Sequence, residues 1–573
     1  MSTIEKAMSS LSVNIASDIF EARHNGTFSM GANDVVNFAC DRMLVRHRKR
    51  FEASKEVPDA IVHRTCSKFL DNNEAALLAS KELESVNLMN PVIGYAREFI
   101  RVNLENFYRT NVPSAFNGGH PQQVFSMSRI YQKWCLGPGT SAGVEGCNAA
   151  LKLHQPLTAT KNTIDLVSLL AKNTPYLLRY MRKMNLGVEV VSGSKGSIVP
   201  KDEDIGRFIG SEPLGNMLLQ LGTGEELAEV LRFVGIDITK QQDVNKRLAW
   251  KSSISGLLAT LDLSSASDLI TPRLIYMLWP EIWYDWFMAI RSPRIHVPTL
   301  DKYVAMHMMS PMGNGFTFPM MTFTVLAICH AAMAVNDSSV HRFRKPKDLA
   351  VFGDDIIVPS KHYKVVVEAL TLCGLVVNTK KSYSTGNFRE SCGGDFYKGY
   401  NVTPVYPRSI ATPQDTYVVI NQILDWSLYH DVWMGSTLTF LFQHLRNTLK
   451  CPDIFLVPEY EDPSSGVLCT GIRRTYTRLR YEPVYELWTD SPPENCPDSP
   501  DVGVVLMTLM MGNRVRVFSK GKYDVWACAL FGSDSLAVMY TDRNRGLWKV
   551  DRRVPQLGIG RSWRYSQDVS KER

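Results

Sequence analysis

The sequence predicts an α+β protein, and three observations carry that expectation. The chain reads mainly helical to about Leu170 and changes to strand-like segments from Val188. The triplet Gly353-Asp354-Asp355 lies between two apolar, β-branched runs and reads as a tight hairpin. The stretch Met320 to Val335 is mostly apolar but shorter than a bilayer span and carries Thr322, Thr324 and His330, so it reads as a buried core helix and no membrane partner is expected.

At 573 residues the chain exceeds what one hydrophobic core organises, so several subdomains are expected. With 45% hydrophobic and 21% charged residues it has the composition of a packed globular protein, which excludes a wholly disordered one. Lys and Arg number 64 against 57 Asp and Glu, a net charge of +7 that favours polyanionic partners only weakly. The eleven cysteines include no C-x-x-C pair, so neither a disulfide framework nor a zinc site is signalled and a reducing cytoplasm is the expected compartment. Met1 to Ser10 lacks the basic start and apolar run of a secretory signal, so export is not expected.

In chain order, the first feature is the basic run from Arg42 to Arg50, which reads equally as a solvated helix face or as a phosphate contact. The glycine-rich loop from Leu136 to Gly143 lacks the G-x-x-x-x-G-K-[ST] pattern, which occurs nowhere in the chain and so excludes a P-loop ATPase. Lys195, Lys201 and Arg207 recur every six residues, an even spacing that aligns cations on one strand face, where they suit a triphosphate. Pro200 and the acidic run Asp202-Glu203-Asp204 point instead to a surface loop.

The segment Leu257 to Asp268 carries the next carboxylate. As a strand it puts Leu258, Thr260 and Asp262 on one face and Ala259, Leu261 and Leu263 on the other, so Asp262 ends the strand facing a cleft. Taken alone, Asp262 reads as a helix cap. Thr271-Pro272 announces a helix, with a capping residue ahead of proline at the first helical position. Ser310 to Pro319 is a glycine-rich loop leading into the apolar helix, where Gly313 lets backbone approach a ligand and Asn314 and Thr317 suit a ribose hydroxyl or simply a helix-capping turn.

Gly353 supplies the positive φ that a two-residue hairpin turn needs, and the turn presents adjacent carboxylates at its tip. Adjacent carboxylates stay ionised together when a cation lies between them, and an all-oxygen ligand set suits magnesium. Asp262 beside Asp354 and Asp355 makes the arrangement that two-metal phosphoryl transfer requires. Downstream, Lys380 and Lys381 offer a general acid for a departing pyrophosphate or are plain surface charge. Asp490 to Asp501, rich in Pro, Ser and acids, reads as a loop or linker. The last 33 residues hold nine Lys or Arg against four Asp or Glu, with Trp548, Trp563 and Tyr565, and read as a solvated surface or a single-stranded RNA contact.

Five segments in this order resemble the motifs of a palm-type RNA-dependent RNA polymerase, and more closely the replicase beta subunit of the levivirus group of RNA bacteriophages. They are Val199-Pro-Lys201 with Arg207 and Glu212-Pro213, Asp262 to Asp268, Met312 to Phe318, Phe352 to Ile357, and Asn378 to Lys381 followed by Phe388 to Gly393. The resemblance implies a right-hand fold with fingers, a palm of antiparallel sheet and helices, and a thumb. Expected limits are 1–120 for an N-terminal helical region bridging to the fingers, 121–250 for fingers, 251–410 for palm and 411–573 for thumb and C-terminal region.

It further implies RNA-templated copying of viral plus and minus strands by two Mg2+ ions held by Asp262, Asp354 and Asp355. Lys201 and Arg207 are implied for the triphosphate, and Asp268, Gly313 and Asn314 for the nucleotide's sugar side. Implied partners are RNA template and product, ribonucleoside triphosphates, and the bacterial host proteins EF-Tu, EF-Ts and a ribosomal small-subunit protein, in the host cytoplasm. Two rivals are a reverse transcriptase, which Gly353 argues against, and a non-catalytic RNA-binding scaffold, which has no need of three repelling carboxylates.

Overall fold

The computed structural model describes most of residues 3–469, apart from 25–32, 47–56, 112–122, 146–151, 202–205 and a few shorter gaps. Beyond 469 it describes four strands, Tyr485–Asp490, Val517–Ser519, Lys522–Asp524 and Trp548–Arg553. The acidic run at 202–204, the linker at 491–501 and the aromatic residues Trp563 and Tyr565 lie outside the described residues. Helices and mostly antiparallel sheets mix along the chain, as the α+β expectation has it.

The sheet that matters most is four-stranded and antiparallel, in the order Val376–Val377, Leu258–Ser264, Asp355–Pro359, Ala350–Phe352. Alternation along Leu258–Ser264 buries Ala259, Leu261 and Leu263 in the main core, so the opposite face carries Asp262 out of it. Helix Thr317–Asn336 packs behind this sheet, against helices Pro91–Asn111 and Tyr363–Leu372.

Its length corrects one expectation. The helix runs 20 residues, long and apolar enough to cross a bilayer, so it is burial inside the protein, not shortness, that makes it a core helix. Its polar residues are occupied: Thr324 Oγ1 accepts from Trp279 Nε1 at 3.0 Å, and Thr322 Oγ1 accepts the Gly353 backbone N–H at 3.1 Å. Upstream, Thr271 caps helix Pro272–Leu278 through a 3.1 Å bond from the Leu274 N–H, as the Thr-Pro pair predicts.

A second four-stranded sheet runs Gly206–Ser211, Ser194–Pro200, Arg294–Val297, Lys302–Ala305. Here the six-residue spacing of cations misled. The chain reverses after Pro200, so Arg207 pairs with Val199 on the neighbouring strand while Lys195 pairs with Ser211 at the far end. Lys201 and Arg207 share one end of the hairpin; Lys195 does not.

The cores do not follow chain order. Helices Thr3–His24 and Asn33–Arg46 pack with Pro413–His430 and Gly435–Gln443 in a cluster of their own, whereas Asp59–Ser85 and Pro91–Asn111 turn to the central sheets. Arg42, first of the basic run, is spent inside this arrangement: it pairs with Asp395 and lies over the Phe388 ring, while 47–50 fall outside the described residues.

Candidate active site

The hairpin Ala350–Phe352 to Asp355–Pro359 closes through a two-residue loop, Gly353-Asp354, with Phe352 and Asp355 paired across it. Gly353 has φ +63, and a β-carbon there would come within 2.7 Å of the Phe318 ring, so conformation and space both demand glycine. On its other side Asp355 pairs in register with Asp262, and the Leu263 N–H donates to Asp354 O at 3.2 Å. Backbone pairing therefore places the three aspartates on one ladder.

A cavity of about 540 Å3 opens at this ladder. Its wall includes Asp262, Asp354, Asp268, Gly313, Asn314, Thr317, Lys201, Arg207 and Lys381, all singled out in the sequence. Asp355 and Lys380 do not line it. Lys381 Nζ stands 3.8 Å from Asp262 Oδ2, while the Lys380 carbonyl accepts from the Tyr383 hydroxyl. Of the lysine pair, Lys381 is thus the one in reach.

The carboxylates are held separately. Asp262 Oδ2 accepts from Asn378 Nδ2 at 2.9 Å, and Asp355 Oδ1 accepts from the Cys392 N–H at 3.1 Å, in a turn where Cys392 has φ +51. Among the described residues no three Asp, Glu, His or Cys side chains converge on one point, so the expected three-carboxylate ligand set is only partly assembled. Asp262 and Asp355 each take a local donor, and like charges favour such separation.

The same repulsion is the test of fit to a cation. Burial pushes the Asp355 carboxyl up to about 6, opposed by the Cys392 N–H and reinforced by Asp354 and Asp262. Burial likewise raises Asp262, with Lys381 and Asn378 opposing and Asp354 adding to the rise. Buried, mutually repelling oxygen donors lose that penalty when a hard divalent cation binds, so the donor set fits magnesium.

The loop between the sheets is built by close approach. Gly313 has φ +108, and a β-carbon there would lie 2.4 Å from Gly210 O, so the loop seats directly on strand Gly206–Ser211. Asn314 Oδ1 accepts from Phe316 N–H at 3.0 Å, and its amide nitrogen lies buried near Glu212 without completing a hydrogen bond to it. Thr317 lines the cavity and shares a 2.6 Å hydrogen bond with Ser310, while helix Thr317–Asn336 begins without a side-chain cap.

Asp268 has an unforeseen partner. Asn72 Nδ2 donates to Asp268 Oδ2 at 2.8 Å and to Ser265 Oγ at 3.2 Å, and Ser267 Oγ donates to Asp268 Oδ1 at 3.2 Å. Helix Asp59–Ser85 brings Thr65, Lys68, Phe69 and Asn72 to the cavity as one face. These residues belong to no motif. Their helical spacing was readable, but nothing in the sequence ties that face to a site some two hundred positions away.

Residues 125–467 match the family described as RNA replicase, beta-chain, and the chain belongs to that family. Among its relatives are the RNA-directed RNA polymerase subunit beta of Escherichia virus Qbeta, 34% identical over 54% of this chain and 53% of that one, and the RNA-directed RNA polymerase beta chain of Escherichia phage MS2, 35% identical over 48% and 50%. The chain spans about half the length of the curated relatives it matches. A solved structure, the RNA-dependent RNA polymerase of a human picorbirnavirus, resembles it at TM-score 0.39 and 11% identity, over 76% of this chain and 86% of that one.

Proposed function

We propose that this chain is the catalytic subunit of an RNA phage replicase, an RNA-directed RNA polymerase that copies plus and minus strands from ribonucleoside triphosphates. The observation that carries the reading is the single cavity in which Asp262 and Asp354 meet Lys201, Arg207 and Lys381. Carboxylates for a metal and cations for a triphosphate are what nucleotidyl transfer needs side by side. The relatives, named as RNA-directed RNA polymerase subunits, support the same activity.

In this reading Asp262, Asp354 and Asp355 hold two magnesium ions, which supply charge stabilisation for the attacking 3′-hydroxyl and the departing pyrophosphate. Lys201 and Arg207, at the turn end of their hairpin, receive the triphosphate. Lys381 gives a proton to the leaving pyrophosphate, and Asp268 takes the ribose hydroxyls. Gly313 seats its loop on strand Gly206–Ser211 at the edge of the nucleotide cavity, and Asn314 holds that loop. The family resemblance adds EF-Tu, EF-Ts and a ribosomal small-subunit protein as host partners, in the bacterial cytoplasm.

The test is incorporation of labelled ribonucleotides on an RNA template with magnesium, for the unmodified chain and Asp354→Asn, each with and without bacterial extract. RNA synthesis that falls by at least about a hundredfold in Asp354→Asn, with RNA binding kept, is the expected result. RNA binding without synthesis under either condition would favour the scaffold reading instead.

A further inference from the structure

We infer that Asn72, on a helix outside the family-matched residues, is a positioning residue that aims Asp268 at the ribose of the incoming nucleotide and so sets the preference for ribose over deoxyribose. The inference rests on the polymerase reading above. Asp268 lines the nucleotide cavity, yet among the described residues its carboxylate takes no hydrogen bond from the asparagine of the glycine-rich loop, whose Oδ1 accepts from Phe316 N–H and whose amide nitrogen is buried near Glu212 without completing a bond to it. The amide that touches Asp268 is that of Asn72.

The geometry gives Asn72 leverage. Its Nδ2 bridges Asp268 Oδ2 and Ser265 Oγ, and Ser265, with φ +50, is the strained hinge between strand Leu258–Ser264 and the short turn of helix holding Asp268. The neighbouring Asn73 anchors the same helix to the second sheet, donating to Ala305 O at 3.0 Å and accepting from His307 N–H at 2.8 Å. One oxygen of Asp268 is thus fixed by Asn72 and the other by Ser267, which leaves the remaining lone pairs to a sugar hydroxyl. Lys68, one turn before Asn72, faces the same carboxylate, and Lys68 and Asn72 oppose the effect of burial, which raises Asp268.

A polar site built around a hydroxyl rejects the analogue that lacks it, because its own groups are then left unpaired. Releasing Asp268 from Asn72 lets the carboxylate turn away, so the ribonucleotide loses more than the deoxyribonucleotide. Equilibrium binding of ATP and 2′-deoxy-ATP is measured beside incorporation, for the unmodified chain, Asn72→Ala, Asn72→Asp, Asp268→Ala and the Asn72→Ala, Asp268→Ala double variant. Thermal melting accompanies each.

The ribose preference is expected to fall about tenfold in Asn72→Ala, through KM more than kcat, and further in Asn72→Asp, which sets a second carboxylate against the first. In the double variant no loss beyond that of Asp268→Ala is expected, since both changes remove one interaction. An unchanged ATP to 2′-deoxy-ATP ratio in folded Asn72→Ala or Asn72→Asp overturns the inference. Absence of RNA synthesis by the unmodified chain both with and without bacterial extract overturns the polymerase reading, and the binding ratio still decides the role of Asn72.

Discussion

Asp355 is the residue at which electrostatics and stability meet. Its carboxyl binds a proton more tightly in the folded chain, near 6, than at the ordinary value of 3.8, so it supports the fold below that ordinary value and loses this support as pH rises through about 6. In chelator, Asp355→Asn is therefore expected to stabilise the chain by about 3 kcal/mol at pH 7.5, with the gain largely gone by about pH 4, as followed by urea denaturation. Magnesium should stabilise the unmodified chain and narrow the gap. RNA synthesis should decline on acidification at a pH that falls as magnesium is raised, because protons and the cation compete for the carboxylate. A flat difference between pH 4 and 7.5 would mean that Asp355 carries no such burden.

At the scale of elements, the hairpin was legible in the sequence and the opposite cavity wall was not. Gly353, its flanking β-branched runs and the alternation through Asp262 are local signals, and each fixes a turn or a face without help from distant residues. Gly353→Ala tests this directly. A side chain at φ +63 costs about 1–2 kcal/mol, and contact with Phe318 adds to it, so a lower melting temperature with reduced synthesis is expected. By contrast the even spacing of Lys195, Lys201 and Arg207 assumed one continuous strand, and the reversal after Pro200 sent Lys195 to the wrong end. Asn72 and Lys68 were silent because their meaning comes from a contact between segments, which periodicity does not encode.

For the whole molecule, the joining of the chain's first helices to its later ones is the feature that sequence order conceals. Both carboxylate oxygens of Asp18 accept backbone N–H groups at the start of helix Gly435–Gln443, from Ser436 at 2.9 Å and Thr437 at 2.7 Å. This caps a helix more than four hundred residues away, with charge of the sign its N-terminus favours. Asp18→Ala is expected to cost about 1–2 kcal/mol and to speed proteolysis within 413–443 while leaving nucleotide binding in place. Equal protease resistance in the two proteins would show that the cap contributes nothing to holding these helices together.

That joining also has a consequence in time. A ribosome extends a chain by about 5–20 residues each second, so Ile15 and Ile19 wait roughly 20–85 s before the Gly435–Gln443 helix that packs on theirs exists. For that interval the apolar faces of Thr3–His24 and Asn33–Arg46 have no native surface to meet. The rest of the protein can assemble around its central sheet meanwhile, and these two helices, made before that sheet, find their place after it.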